Sequence, residues 1–304
     1  MPRDTMPSNT GLRPCPACAG HAFDPHLVVR GTPLVRCRGC GLITWNWAGF
    51  DFEAFYDSSY WRSPDVSKGY ADYFTLVDAM VTTHRRRLAW ISRHLAAGPM
   101  RSATAPRGPA TLLDAGCGPG FFVQAATEAG FAAAGVELSE YAVTFARDEL
   151  HQRVWQGQVR ADDLRGGPYD VVTLWDVIEH LPDPRDALAA LAGAMNRGGL
   201  LALSTGDVSS LVARLSGPRW HLYTLPEHLW FFTAGGLRRL LRRVGLEPVA
   251  CRYEVCWYTV RYLAERIEAM AGRGRFISPR LGRASRLSVP VTLADIVTFL
   301  ARKR

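Results

Sequence analysis

Apolar and polar positions follow two different rhythms along this chain. Between Tyr73 and Leu95 the apolar residues Leu76, Val77, Met80, Leu88, Ile91 and Leu95 recur at helical spacing, which predicts an amphipathic helix. Thr111 to Ala115 is a short apolar run that predicts a strand. A glycine-rich turn follows, and an apolar-periodic segment through Ala129 predicts the next helix. Ala132 to Glu137 predicts a second strand. Strand, glycine turn, helix, strand is the opening of a doubly wound α/β fold, whose ligands sit beyond the carboxyl ends of the strands. Nearer the N-terminus, Leu34–Arg36 and Leu42–Thr44 predict two short strands. Pro99 to Pro109, flanked by Gly98 and containing Gly108, reads as a linker. The stretch from Phe50 to Arg93 is rich in aromatic residues. Such residues are most often core, but ahead of a nucleotide-binding fold they also close over ligands, and Tyr60 and Tyr70 are the expected contributors.

Composition narrows the class. The chain has 304 residues, 48% of them hydrophobic and 21% charged, enough for about two domains with buried cores at roughly 100–200 residues each. No stretch reaches the ~18 apolar residues that span a bilayer, and the polar segment Met1–Pro14 lacks the apolar centre of a signal peptide. A cytoplasmic location is the expectation. The formal charge is +8, unevenly placed: residues 237–304 carry 15 Lys+Arg against 5 Asp+Glu, and the rest nets −2. Apart from Lys68 and Lys303, every one of these basic residues is arginine. An Arg-rich C-terminal region suits a polyanion, an anionic lipid surface or a phosphorylated small molecule, and equally a plain solvated surface.

Four of the seven cysteines are spaced as a metal site. Cys15 and Cys18, then Cys37 and Cys40, form two C-x2-C pairs separated by eighteen residues. One tight turn presents two thiolates to the same ion, and two such turns complete a tetrahedron around zinc. A disulfide would require an oxidising compartment, and a redox centre would need one such pair on a strand-to-helix turn. Four thiolates leave no open position, so zinc here is expected to be structural.

The run Asp114-Ala115-Gly116-Cys117-Gly118-Pro119-Gly120 carries the chemistry. Its glycines are spaced G-x-G-x-G, not the G-x-G-x-x-G that brings backbone against a pyrophosphate. This argues against a nicotinamide-dependent oxidoreductase. Asp114 ahead of the glycines repels phosphate and suits an ammonium or sulfonium. Glu137, at the end of the second strand and 17 residues after Gly120, is placed to accept both hydroxyls of a ribose. Taken alone it would read as an acid at a helix N-terminus capped by Ser139.

These residues resemble the class I S-adenosylmethionine-dependent methyltransferases, in the ubiquinone-biosynthesis-like branch. Asp114–Gly120 looks like their first motif and Glu137 like their ribose acid. Tyr169–Asp176 looks like their fourth strand, Glu179-His180-Leu181-Pro182-Asp183-Pro184 like a segment common in that branch, and Asn196–Gly199 with Leu200–Thr205 like their fifth strand and its preceding turn. The resemblance covers about residues 105–255. It implies an α/β fold with a Rossmann-like seven-stranded sheet, the last strand antiparallel, beside a small N-terminal zinc ribbon. The implied division is a ribbon over 1–48, a helical and aromatic connector and lid over 49–104, and the methyltransferase domain over 105–304. Glu247–Tyr253 and Asp295–Ala301 fit the sixth and seventh strands, Trp257–Ala271 looks helical, and Gly272–Pro290 looks like a surface loop or short helix. The implied donor site comprises Asp114, Gly116, Gly118, Gly120, Glu137, Trp175 and Asp176. Asp162 stands in for the adenine-side acid, because Gln occupies the usual place after Val154–Trp155.

Methyl transfer from a sulfonium is an in-line displacement, and a base is needed only where the acceptor must lose a proton. The candidates are His228, Glu227 and His180, with His221 weaker. A ribbon joined to this fold is similar to sugar C-methyltransferases and polysaccharide-cluster methyltransferases, which implies a sugar, sugar-nucleotide or related small-molecule acceptor. Two other readings are weighed beside it. An RNA methyltransferase would use the ribbon and the basic tail on RNA, yet Leu174-Trp175-Asp176-Val177 lacks the Asn/Asp-Pro-Pro-Tyr run of base amino methylation, and no cysteine follows the fourth or fifth strand. A scaffold that has lost chemistry is opposed by the intact donor set. Cofactors expected are S-adenosylmethionine and zinc.

Overall fold

The computed structural model describes residues 12–50, 55, 61, 77–98, 108–270, 280, 282 and 287–304. Tyr60 and Tyr70, the expected lid residues, lie outside the described residues. At the N-terminus, β1 (Phe23–Val29) and β2 (Thr32–Cys37) form a hairpin, and β3 (Ile43–Thr44) pairs with β2. Sequence reasoning missed β1, whose alternation is interrupted by Pro25 and His26. The hairpin turns on Arg30 and Gly31, both at positive φ (49° and 84°), the conformation of the two-residue turns that match strand twist. The long helix α1 (Val77–Ala96) follows.

The body then runs β4 (Thr111–Ala115), α2 (Phe121–Glu128), β5 (Ala132–Glu137), α3 (Glu140–Asp148), β6 (Val154–Gln156), β7 (Tyr169–Trp175), α4 (Pro184–Gly193) and β8 (Met195–Gly206). After it come α5 (Leu211–Ser216), β9 (Trp230–Phe231), α6 (Ala234–Arg243), β10 (Leu246–Tyr253), β11 (Cys256–Thr259), α7 (Val260–Met270), β12 (Ser288–Val291) and β13 (Ile296–Lys303). Seven strands make the central sheet in the order β10-β13-β8-β7-β4-β5-β6. β13 is antiparallel to both neighbours, with Phe299 opposite Leu203 and Cys251. The sheet is the expected one. Val171, Val172 and Leu174 of β7 and Leu200–Leu203 of β8 are fully buried, as parallel strands covered on both faces require.

Local signals explain the boundaries. Asp183 caps α4 by accepting from the Asp186 backbone N–H at 3.1 Å, with Pro184 in the first turn, and Thr233 caps α6 through Gly236 at 2.9 Å. Ser139 precedes α3 but makes no side-chain cap. Its hydroxyl instead accepts from the Trp61 indole at 3.0 Å. The expected helix over Trp257–Ala271 begins only at Val260. Residues 256–259 form β11 and pair with β12, which lies where a surface loop or short helix was expected. The β-branched and aromatic run Cys256–Thr259 has the composition of a strand, and the partner that makes it one lies about thirty residues downstream.

The cysteine ribbon is joined to the body through a shared sheet. β3 pairs antiparallel with β9, Ile43 opposite Phe231 and Thr44 opposite Trp230. Cys15, Phe23 and Leu42 pack in the same buried cluster as Trp230, Phe232 and Leu237.

Candidate functional site

At β4 the strand order reverses, and the carboxyl ends of β4, β5 and β7 open onto a cavity of about 990 Å³. Asp114, Gly116, Gly118, Glu137, Trp175, Asp176 and His180 line it. This is where a doubly wound sheet places ligands.

The glycine turn is built to approach closely. Gly116 has φ 71°, and a Cβ there would lie 2.7 Å from Val177 Cγ2. Gly120 has φ 85°, and its Cβ would lie 2.9 Å from the Ala146 methyl. Both positions therefore reject any side chain, on conformation and on space. Asp114, 2% exposed, accepts from the Thr173 hydroxyl at 2.6 Å. Burial pushes its carboxyl up to about 7, against the pull of Thr173 and Arg87. Glu137 closes the turn: Gly118 N–H donates to Oε2 and Ser139 N–H to Oε1, each at 2.9 Å. Burial raises this carboxyl as well, with those backbone donors opposing. Each carboxylate oxygen keeps a further lone pair for a hydroxyl.

The adenine side differs from expectation. Asp162 is exposed and is not part of the cavity lining, whereas Gly157–Ala161 line it. Asp163 shapes that segment, accepting from Gln158 N–H at 2.8 Å and Arg160 Nε at 2.9 Å. From the connector, Trp61 lies over the glycine turn, 3.0 Å from where a Gly118 Cβ would sit.

On the opposite wall, α1 supplies residues that sequence reasoning did not single out. Arg87, its side chain 6% exposed, lies 4.1 Å from the Trp175 ring centre, 3.4 Å from Glu254 and 3.7 Å from Asp176. His84 stacks edge-on against Phe122 at 5.3 Å, and burial beside Arg87 lowers its pKa to about 3. A signal existed: His84 and Arg87 fall on the stripe of Met80, Leu88 and Ile91, so polar groups occupy core-facing positions of an amphipathic helix. The hairpin after β10 adds Trp257 and Tyr258, with Tyr262 stacked on Tyr258 at 5.2 Å. The indole N–H groups of Trp175 and Trp257 are buried without a partner.

The candidate bases cluster at one end. His180 lines the cavity, and its Nδ1 meets the Glu227 carbonyl at 3.0 Å. His228 stacks edge-on against it, ring centres 4.7 Å apart, and its Nδ1 donates to the Leu222 carbonyl at 2.9 Å. Burial lowers His180 to about 4 and drives His228 well below its ordinary value. Glu227 is buried; its carbonyl, rather than its carboxyl, meets the imidazole. Neither Glu227 nor His228 is part of the cavity lining. His221 sits apart, 3.6 Å from Asp295.

In the ribbon, one donor atom from each of Cys15, Cys18, Cys37 and Cys40 lies within 4.8 Å of the others. Cys15–Cys40 and Cys18–Cys37 are each 3.4 Å apart, far beyond the ~2.05 Å of a disulfide and near the edge of a tetrahedron of ~2.3 Å zinc–sulfur bonds. The donor set fits zinc. On the Arg-rich helix α6, Arg239 donates to the Gly39 carbonyl, Arg243 to the Cys18 carbonyl and Arg242 pairs with Glu247.

Fold and cavity together are those of a class I S-adenosylmethionine-dependent methyltransferase. Residues 82–250, more than half the chain, match the family described as "Methyltransferase domain", and the chain belongs to it. Its relatives include the ubiquinone biosynthesis O-methyltransferases of Thiobacillus denitrificans (33% identical over 155 residues, 47% of this chain and 67% of that protein) and Aromatoleum aromaticum (30% over 173 residues, 53% and 70%). The chain thus spans about two thirds of the length of those relatives. A solved S-adenosylmethionine-dependent methyltransferase from Archaeoglobus fulgidus is similar at 19% identity and TM-score 0.49, covering 75% of this chain and 94% of that one. Among the described residues no helix is long and apolar enough to cross a membrane.

Proposed function

We propose that this enzyme transfers the methyl group of S-adenosylmethionine to an oxygen of a small molecule, of the class of sugars, sugar nucleotides or other biosynthetic precursors. What carries the reading is one cavity bounded by Asp114 and Glu137 at one end and His180 at the other. Asp114 takes the donor's ammonium, the turn Gly116–Gly120 admits its aminoacyl end, Glu137 holds the ribose, and the 157–161 segment covers the adenine. Trp175 and Asp176 border the reacting methyl. The names of the relatives point to oxygen as the acceptor atom.

The acceptor oxygen attacks the methyl carbon in line. The carbon–sulfur bond breaks with its electron pair going to sulfur, and the acceptor's proton leaves at the imidazole end. There His180 meets the acceptor, with His228 behind it and the Glu227 carbonyl orienting its ring. Cys15, Cys18, Cys37 and Cys40 would hold zinc, which would fix the ribbon. An RNA acceptor finds little support, since Leu174-Trp175-Asp176-Val177 lacks the run of base amino methylation.

The test is transfer of labelled methyl to fractionated small-molecule metabolites and to RNA. Gly118→Arg and Glu137→Ala should abolish donor binding by calorimetry, and His180→Ala should lower turnover with donor affinity kept. Donor binding that survives both of the first two changes would remove the reading.

A further inference from the structure

The methyl-transfer chemistry leaves the Arg-rich side of helix α6 without a role. Arg238, Arg239, Arg242 and Arg243 are all exposed on that side, and with Gly235 they line a second cavity of about 390 Å³. None of these residues lines the methyl-transfer cavity. α6 carries no acidic residue. Among the described residues, the carboxylate paired with the four arginines is Glu247, which Arg304 also engages. Gly235 precedes Arg238 and Arg239 by one helical turn, and a Cβ there would meet nothing within 4 Å, so the space before the guanidinium groups is open. We propose that this cavity binds a diphosphate group carried by a soluble molecule, held by two arginine pairs, Arg238 with Arg242 and Arg239 with Arg243.

Spacing and preorganisation carry the assignment. Residues four apart on a helix are neighbours, with Cβ atoms about 5–6 Å apart, so each pair can present two guanidinium forks to one phosphoryl group. The two pairs sit side by side, one residue apart, as the two phosphoryl groups of a diphosphate do. Arginine suits this task because its planar fork meets phosphate oxygens with two parallel hydrogen bonds. A merely solvated face would leave such long side chains unconstrained, yet each of these is held. Arg239 Nη1 donates to the Gly39 carbonyl at 3.0 Å and Arg243 Nη1 to the Cys18 carbonyl at 3.2 Å, both in the cysteine ribbon. Arg242 Nε pairs with Glu247 at 3.1 Å. Arg238 lies 5.6 Å from the Phe299 ring centre and meets the Cys251 side chain. A guanidinium has five N–H donors, and these contacts leave most of them for a ligand. A neutral carbonyl accepts a hydrogen bond without cancelling the charge, so Arg239 and Arg243 remain cations in want of an anion. The dipole of a helix favours cations in its last turn, which accounts for Arg242 and Arg243 but not for Arg238 and Arg239 a turn earlier. Four thiolates on zinc would add two net negative charges. Even with these and Glu247, the four arginines and Arg304 leave the cluster positive. The identity of the methyl acceptor plays no part in this assignment.

Calorimetric titration of the full-length, zinc-loaded protein with inorganic pyrophosphate, beside orthophosphate, tests the site. One equivalent of pyrophosphate is expected, bound at least about tenfold more tightly than orthophosphate, since two bridged phosphoryl groups engage both pairs. Arg238→Gln should weaken pyrophosphate binding at least about fivefold, the loss of a charge-assisted hydrogen bond. Arg238→Lys, which keeps the charge but loses the fork, should weaken it at least about threefold. Arg214→Gln removes the same charge from an exposed position on α5 and should leave the affinity unchanged. Wild-type protein that binds pyrophosphate no better than orthophosphate overturns the proposal, whatever the variants do. Equal weakening by Arg238→Gln and Arg214→Gln also overturns it, because that marks a diffuse field rather than a site. So does a mixed-sequence oligonucleotide, or a phosphatidylglycerol vesicle, held by these arginines more tightly than pyrophosphate, because the ligand would then be an extended polyanion.

Discussion

At the scale of single residues, Asp114 gives the sharpest expectation. Its carboxyl is raised to about 7 by burial, so below that pH the unliganded pocket holds the neutral acid. A donor ammonium opposite it favours the carboxylate, which lowers the pKa in the complex. Binding therefore releases a proton. Affinity for the donor should rise with pH up to about 7 and level off above it, falling by up to tenfold for each pH unit on the acid side. Calorimetry at pH 6 and pH 8, in two buffers of different ionisation enthalpy, reads both the affinity and the proton count. Asp114→Asn should bind more weakly and with a flat profile. Trp257 offers a second residue-level test. Its indole N–H is buried without a partner and lines the cavity, a donor awaiting an acceptor oxygen. Trp257→Phe should raise the KM of the true acceptor by roughly five- to tenfold, the worth of about 1–1.5 kcal/mol for one hydrogen bond, while donor affinity stays put. An unchanged KM would take Trp257 out of acceptor recognition.

At the scale of elements, the ribbon braces the segment behind His180 as well as stabilising itself. β3 pairs with β9, the Thr44 hydroxyl donates to the Leu229 carbonyl at 2.7 Å, and Trp45 donates to the His228 carbonyl. Every one of these contacts lands on the segment that carries Glu227 and His228. Thr233 at the start of α6 also donates to the Cys40 carbonyl at 3.1 Å. Loosening the four-cysteine cluster should therefore disturb the imidazole end more than the donor end. Trp45→Phe keeps the ring but deletes the indole donor. It should lower kcat about threefold to tenfold and leave the donor Kd within a factor of two of wild type. A loss of donor affinity equal to the loss of turnover would mean that the ribbon acts on the whole fold instead.

At the scale of the molecule, the sequence was most legible where local pattern and chemistry coincide. The glycine turn with Asp114 and Glu137, the strand order and the cysteine pairs all reduce to short runs whose residue types serve one physical need each. Legibility failed where contacts are distant in sequence. β11 becomes a strand only through β12, β1 was hidden by Pro25, and Ser139 left its expected cap for an indole 78 positions upstream. Asp162 was chosen by position, but the loop folds around its neighbour Asp163. Arg87 is the instructive miss. Its position on the apolar stripe of α1 was visible, but the partners that justify burying a guanidinium there, Trp175 with Asp176 and Glu254, come from two later segments.

Arg87 ties those segments together, and its removal should be felt throughout the fold. Breaking one side of a buried ion pair typically costs ~3–5 kcal/mol because the remaining charge is left uncompensated. Here Glu254 keeps two other partners, Thr298 at 2.7 Å and Arg252 at 3.3 Å, and Asp176 keeps the Ser204 hydroxyl at 2.8 Å. The loss should therefore sit at the lower end, about 3 kcal/mol for Arg87→Ala. Arg87→Met, which retains much of the stem that covers Trp175, should recover part of it. Chemical denaturation of the two variants against wild type measures the difference. Because Arg87, His84 and Trp175 line one wall of the cavity, both variants should also lose acceptor turnover. If Arg87→Ala unfolds at the wild-type midpoint, the buried cation contributes nothing net, and its retention would then reflect the pocket it faces.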